Sequence, residues 1–485
     1  MLCCSALPRP CSRVPTSFRF LPTLAALLLP FGAFAGDGPP PDPFATEALA
    51  RSSQAGTLPC AAPVAGRALS LEDVVERALC ANPQTREAWA NARYQAAQLG
   101  VAKSAWLPSV SATVTDNRLH GSGSATIPGD YSQASLGLSA SWLLWDFGAR
   151  SASVESAAQL LAAANLAQDA TVQTVFLSAV QAWCGWFAAQ GAVAAALESE
   201  KASQESLKAA ERRYEVGTAT PADKLQARTA WSQAVLVRIK AQGEAKSSRG
   251  VLMNVLGLDA SDTLAIAAPG SLRPAGEFAA DLARLIERAK LARSDLAAST
   301  AQVQAAKAGV DLARANGLPT VTLGASAGES HSSLVNPGRS SSIGVTVSIP
   351  VFTGFSTAYK LRAAQAQVAV KAAQRERIER QVSLDVWKAY HGLVTATQSL
   401  LASADLLASA EQSRRVAKGR FDAGVGGILD LLNAESALAS ARQQDVQTRY
   451  DWLVAKFSLA QSIGVLSLAD VQKPESIPAY PADKK

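Results

Sequence analysis

The chain has 485 residues, of which 48% are hydrophobic, 6% aromatic and only 18% charged. That balance excludes a disordered chain, and its many alanines suit closely packed long helices better than a bulky globular core. The formal net charge of +6 falls to +3 without Arg9, Arg13 and Arg19 of the leader. No basic cluster interleaved with aromatics remains, which excludes nucleic acid as a partner.

Residues 1–35 read as a signal peptide. The three arginines form a basic lead, Leu21 to Phe34 an apolar stretch, and Ala33-Phe34-Ala35 a small-x-small cleavage site. Pro22 and Pro30 interrupt the stretch, which is too short for a membrane anchor. Residues 36–67, rich in Pro, Gly, Ala and Ser, read as an extended lead-in. Cys60 and Cys80 flank a short loop-rich segment and are candidates for a disulfide in an oxidising compartment, with spacing alone leaving the geometry open. Cys184, between Trp183 and Gly185, reads as a buried thiol. No cysteine follows the cleavage site, so no lipid anchor is expected there.

From residue 68 the chain is written twice, as repeats 68–268 and 269–470 followed by a tail, 471–485. Arg213-Tyr214-Glu215-Val216-Gly217 with Asp223 and Leu225 returns 207 residues later as Arg420-Phe421-Asp422-Ala423-Gly424 with Asp430 and Leu432. Upstream, Leu107-Pro108 returns as Leu318-Pro319, 211 residues on, so one loop differs by four residues. Each copy is predicted to run short helix, longer helix, strand, loop, strand, very long helix, turn, helix.

In the first copy Val110, Ala112 and Val114 alternate with Ser109, Ser111, Thr113 and Thr115, and Leu136 to Leu144 alternate with Gly and Ser. Val321 to Ala327 and Ile343 to Ile349 repeat the pattern. An apolar face backed by uncharged Ser, Thr and Gly over about ten residues fits a strand of an outer-membrane barrel. A soluble sandwich also alternates, but its strands are usually shorter and its polar faces carry charge. Trp142 and Trp145 suit a membrane interface. Gly/Ser-rich loops are expected from Asp116 to Ser132 and from Ser330 to Ser341, holding His120 and His331.

Proline is absent from Gly129 to Thr220 and from Val351 to Lys473, leaving room for very long helices. Helices from about Ala149 to Glu215 and Ser356 to Asp422 would each measure roughly 100 Å. Each stops at a glycine, Gly217 or Gly424. Return helices, Pro221 to Leu256 and Ile428 to Ile463, are about half as long. The missing length is expected from helices Gln84 to Ser104 and Asp295 to Ala315, stacked end to end with them. The uncharged stretch between Asp169 and Glu198 is long enough to span a bilayer. Its counterpart in the second copy contains Asp385, Lys388 and His391, so a helix buried against other helices is the better reading.

Four strands cannot close a membrane barrel, and open edges in lipid leave backbone groups unpaired. Other chains must complete it, two giving eight strands and three giving twelve. The doubled Arg-aromatic-x-x-Gly motif, with Asp six residues further on, and the corners Leu144-Trp145-Asp146-Phe147-Gly148 and Pro350-Val351-Phe352-Thr353-Gly354 resemble the TolC family of outer-membrane export ducts over residues 68 to 470. The resemblance implies a mixed α/β membrane protein, a homotrimer sharing a twelve-stranded barrel in the outer membrane, continuous with an α-helical barrel in the periplasm. It implies a periplasmic adaptor and an inner-membrane ABC or other transporter as partners. The missing lipid-anchor cysteine leans towards members that serve type I protein secretion, with drug or metal efflux as the alternative. A secreted coiled-coil adhesin is the alternative of another class.

By the same resemblance, the tips Val216, Gly217, Thr218 and Ala423, Gly424, Val425 dock the adaptor, Val216-Gly217-Thr218 being close to the family's Val-Gly-Leu motif. Asp430, Asn433 and Asp223 are implied at the periplasmic gate. A second aspartate is expected at 433, and the lock positions carry Phe421, without a hydroxyl, and Gly426, without a guanidinium. Simple helix capping is the competing role for these glycines and aspartates. The three histidines are scattered and no cluster has metal or phosphate-loop spacing, so neither enzyme activity nor a cofactor is expected.

Overall fold

The computed structural model describes residues 41–51, 68–120, 130–267, 281–333 and 336–466. The proposed leader, Cys60 and the tail 471–485 lie outside the described residues. Residues up to Ala45 belong to a separate unit, and the described helices and strands all belong to the unit from Thr46 onwards. The lead-in expected to be extended contains a 3-10 turn, Glu47–Arg51.

The first repeat runs α1 (Leu71–Ala81), α2 (Pro83–Ser104), β1 (Ser109–His120), β2 (Asp130–Trp145), α3 (Ala149–Glu215) and α4 (Pro221–Val255). The second repeats the order with α5 (Leu282–Ala292), α6 (Ser294–Ala315), β3 (Thr320–Ser332), β4 (Gly338–Ser348), α7 (Ser356–Asp422) and α8 (Ile428–Ile463). Both long helices have 67 residues. As the lengths demand, α3 is accompanied by both α2 and α4, and α7 by both α6 and α8.

One antiparallel sheet has the order β1-β2-β3-β4. Its register sets Val110 opposite Ala140, Ala112 opposite Leu138 and Val114 opposite Leu136. Across β3 and β4, Leu323 meets Val345 and Ala325 meets Ile343, so apolar residues share one face. The other face carries hydroxyl pairs, Ser111 with Ser139 at 2.7 Å and Ser326 with Ser342 at 2.8 Å.

The loops expected at 116–132 and 330–341 are shorter than their polarity suggests. Pairing continues to His120 opposite Asp130, and from Gln133 opposite Ser332, so His120 and His331 sit on strands. Backbone pairing does not need apolar side chains, and beyond the apolar band the same face turns charged: Glu329 lies 3.4 Å from Arg339 and 3.7 Å from His331.

The largest core lies midway along the long helices, where Val74, Phe176, Val180, Leu252, Val382, Val386 and Phe457 are buried together. The uncharged stretch of α3 is part of it: Val175, Ala179, Trp183, Cys184 and Phe187 are all buried. No described helix is long and apolar enough to cross a membrane. Cys184 is a free thiol whose titration burial drives far upwards, which leaves it inert at neutral pH. Cys80 is disulfide-bonded, its proposed partner Cys60 lying outside the described residues.

Close backbone approaches tie each repeat to its first helix. Gly257, at φ +70°, leaves only 2.5 Å between a would-be Cβ and the Ala81 carbonyl oxygen. Gly464, at φ +81°, takes the matching place against Ala292. A side chain at either position meets both the left-handed backbone and the neighbouring chain.

Candidate functional site

Both the sheet and the helices are joined between repeats on one side and left open on the other. Within the chain, β2 of the first repeat pairs with β3 of the second, while β1 and β4 are sheet edges. In the same sense, α3 packs on α6 and α8 of the second repeat. Among the described residues its twin α7 packs mainly on α5, α6 and α8 of its own repeat and meets the first repeat much less, chiefly where Arg213 and Leu207 cover Phe421. Leu384, Trp387, Leu401 and Leu406 of α7 are exposed, as are Leu225, Leu236 and Ile239 of α4. Apolar faces of this extent mark association surfaces.

The strand-to-helix corners solve one bend in two ways. In the first, Arg150 and Asp146 form a buried pair at 3.0 Å. Arg150 also donates to the carbonyls of Leu143 (2.7 Å) and Leu144 (3.2 Å), and its guanidinium lies 4.2 Å from the Trp106 ring centroid. In the second, the matching residues are Thr353 and Thr357, hydroxyls 3.0 Å apart. Gly317 replaces Trp106, and a Cβ there would lie 2.6 Å from Thr357 Cγ2. A large cation over a large ring is thus exchanged for a small side chain against none. Phe147 and Gly148 in one corner, Gly354 and Phe355 in the other, supply the left-handed backbone of the bend. Trp145, Phe147, Phe352 and Phe355 are exposed around it.

The two repeats meet along a seam between α3 and α8. From the middle towards the tip, contacts recur every seven or eight residues of α3, as expected of a helical pair in long-range register. First come Phe176 against Phe457 (ring centroids 6.3 Å) and Trp183 against Tyr450 (6.5 Å). Gly191 then faces Val446 so closely that a Cβ would lie 2.5 Å from Val446 Cγ1. Beyond it the seam becomes polar: Arg442 pairs with Glu198, and Ser206 donates to Glu435 at 3.0 Å. Finally Arg213 reaches α7, donating to the Phe421 carbonyl with its guanidinium 3.8 Å from the ring centroid.

Both tips use the same helix stop. Thr218 N–H donates to the Arg213 carbonyl at 2.8 Å, and Val425 N–H to the Arg420 carbonyl at 3.0 Å. Gly217 and Gly424, at φ +74° and +78°, close these turns. Val216 and Val425 are more than 70% exposed, so each tip ends in an uncovered valine.

The gate candidates separate here. Asp223 is in a capping box: its Oδ2 accepts from Thr220 N–H at 2.9 Å and from the Thr220 hydroxyl at 2.8 Å, while Asp223 N–H donates back at 3.2 Å. These bonds hold its carboxyl below the usual range. Asp430 stands at the matching position, but the N-cap there is Gly427, which has no side chain to complete a box. Asp430 is exposed, and with Arg420, Gly426 and Asn433 it lines a groove of about 540 Å³ between α7 and α8. Phe421, at the lock position, is buried beneath Arg213. Gly426 lets the turn close on Arg420, since a Cβ there would lie 3.0 Å from Arg420 Cβ. Among the described residues no three His, Cys, Asp or Glu side chains gather as a metal site.

Sequence reasoning missed the polar seam. Its residues, Glu198, Ser206 and Glu435, fit no motif, and only the antiparallel pairing of two distant helices brings them together.

A family model described as outer membrane efflux protein matches residues 74–258 and 285–465, one segment on each repeat. Over 385 residues the chain is 31% identical to Protein CyaE of Bordetella pertussis, covering 78% of this chain and 80% of that one. It is 26% identical to the alkaline protease secretion protein AprF of Pseudomonas aeruginosa, over 62% of this chain and 63% of that one. The solved outer membrane channel CmeC of Campylobacter jejuni matches with a TM-score of 0.73 at 18% identity, over 84% of this chain and 89% of that one. At that identity the likeness is one of fold.

Proposed function

This chain belongs to the outer membrane efflux protein family, and we propose that three copies close into one duct for type I protein secretion. It is an outer-membrane export channel of a Gram-negative bacterium, with its helical part in the periplasm. In the proposed trimer β4 of each chain pairs with β1 of the next, giving twelve strands, and α7 packs on α2 and α4 of the next.

The observation that carries this reading is the agreement between the open sheet edges and the unmatched face of α7. One chain makes the repeat-to-repeat joint once, and the same joint made between chains is heterologous, so it closes only as a ring. Unpaired strand edges in lipid cost several kcal/mol per group, which disfavours an isolated protomer. Two chains would supply eight strands; the fuller tunnel of three follows the family resemblance.

The tips at Val216, Gly217 and Thr218 and at Ala423, Gly424 and Val425 then dock a periplasmic adaptor, which couples the duct to an inner-membrane transporter. Asp430 forms a carboxylate ring in the closed entrance, with Asn433 one turn further along the same helix. A carboxylate ring in a narrow pore attracts cations and repels anions. Asp223, engaged with Thr220, supports the tip as a cap instead. Arg213 over Phe421 takes the place of the absent hydroxyl lock.

Cargo is assigned to protein by the likeness to a named secretion protein. Deleting the gene and comparing secreted protein with small-molecule sensitivity tests this. Loss of one or more secreted proteins at unchanged sensitivity is expected; the reverse pattern would assign the duct to efflux. For the assembly, purified protein in planar bilayers should show single-channel conductance, and Asp430→Ala should weaken block by added divalent or trivalent cations. An unchanged block would remove Asp430 from the entrance.

A further inference from the structure

The seam contains a half-buried carboxyl that neither the docking tips nor the entrance ring uses. Glu435 of α8 faces a cavity of about 660 Å³ between α3, α4 and α8, lined mainly by small residues such as Ala196, Ser199, Ser203 and Ala234. Its Oε1 accepts from Ser206 of α3, itself buried, at 3.0 Å. Its Oε2 is buried without a hydrogen-bond partner, and so is Nε of Arg414 on α7. Charged groups surround it unevenly: Arg414 and Lys418 from α7, Glu205 from α3, and Lys240 and Glu244 of α4 on the same cavity.

We propose that Glu435 is a proton-sensitive latch between the two repeats, its neutral form seating α8 on α3 and its carboxylate favouring their separation. This rests on the channel reading only for its consequence, which is easier opening of the tip as pH rises. The seam geometry stands without it.

The physical argument is one of hydration. A carboxylate with one oxygen unpartnered in a partly dry cleft gains water when the helices part. Burial dominates over the Ser206 bond and the α7 cations, so the Glu435 carboxyl titrates above the ordinary carboxylate range when the seam is closed. With the seam parted it returns towards that range. The closed form therefore binds the proton more tightly, and closure is fully favoured below the ordinary carboxylate range. That advantage is lost as pH rises through the raised value. Above the raised value the ionised group weighs against closure.

Labels at Lys208→Cys and Ala437→Cys, both exposed positions flanking the contact, report the separation of α3 and α8 by electron–electron resonance on the full chain in lipid vesicles. Native Cys184 is buried and unreactive. Raising the pH from 4 to 8 should shift the label distances to longer values. Glu435→Gln, which keeps the shape and an acceptor for Ser206 but carries no charge, should stay short across the range. Ser206→Ala, which removes the donor from the carboxylate, should lengthen the distances at pH 8 beyond those of the unmutated seam. A Glu435→Gln protein that shifts with pH as the parent does overturns the latch, and so does a parent whose distances ignore pH. Conductance recorded on the same preparations keeps the two readings apart. Absence of any pore in every variant counts against the channel, whereas pores without a Glu435-dependent shift count against the latch.

Discussion

Above Gly191 the seam between the repeats is aromatic and apolar; below it the polar contacts of Glu198, Ser206 and Glu435 alternate with a smaller apolar cluster of Leu207, Ala210, Phe421, Ile428 and Leu431. The same two helices run through both halves, so the difference lies in the side chains rather than in the fold. Apolar contacts lose their full hydration benefit when they part, whereas polar ones exchange one hydrogen-bond partner for water. The upper half, with the larger apolar core, therefore costs more to part than the lower half, where a smaller apolar cluster is interrupted by polar contacts.

The largest expected effect breaks the upper half. Phe457 is fully buried in the main core, and Phe457→Ala should cost about 3–5 kcal/mol. Denaturant unfolding followed by tryptophan fluorescence should show the loss, since Trp183 and Trp452 lie in the same core. An effect below about 1 kcal/mol would mean that the seam there is not close-packed.

Next comes the boundary. Gly191→Ala places a methyl against the stiff Val446 side chain, which should cost about 1–3 kcal/mol, partly offset by the roughly 1 kcal/mol helix preference of alanine. Adding Val446→Ala should restore most of the loss in a double-mutant cycle. If Gly191→Ala alone raises the midpoint, the two helices are not in close contact at this point.

The polar half should respond less to truncation. Glu198→Ala removes the partner of Arg442 in an exposed pair, a change of about 0.2–1 kcal/mol in stability. Its sharper readout is opening: conductance should rise or become more frequent while the unfolding midpoint barely moves. At the first tip, Thr220→Ala removes the two hydroxyl bonds with Asp223 and keeps the backbone N–H bond, and should cost about 1 kcal/mol in local helix stability. The Asp223 carboxyl is held low by Thr220, so this cap is present above the ordinary carboxylate range. It is lost as pH falls through the lowered value. In Thr220→Ala that acid transition should move only part of the way up, because the backbone bond, the larger cause of the lowering, remains; carboxyl NMR follows it.

The doubled pattern made most of the architecture legible. Proline-free windows together with the stops at Gly217 and Gly424 placed both long helices, because proline and left-handed glycine act locally. Strand ends were less legible: beyond the apolar band the side chains turn polar while backbone pairing continues to His120 and His331. The two gate candidates were only half readable. Asp223 and Asp430 share a motif, yet the residue three positions earlier, Thr220 or Gly427, decides whether a cap forms. Glu435 carried no signal, since its role depends on Ser206, 229 residues away in sequence.

Hydrogen exchange along α3 tests the division of the seam most directly. In the reconstituted protein at neutral pH, after correction for intrinsic rates, amides around Phe176 to Phe187 should exchange far more slowly than those around Glu198 to Arg213. The slow segment should also be insensitive to Glu435→Gln, and the fast segment should gain protection from it. Uniform protection along α3, unaltered by that substitution, would contradict a seam fixed above and releasable below.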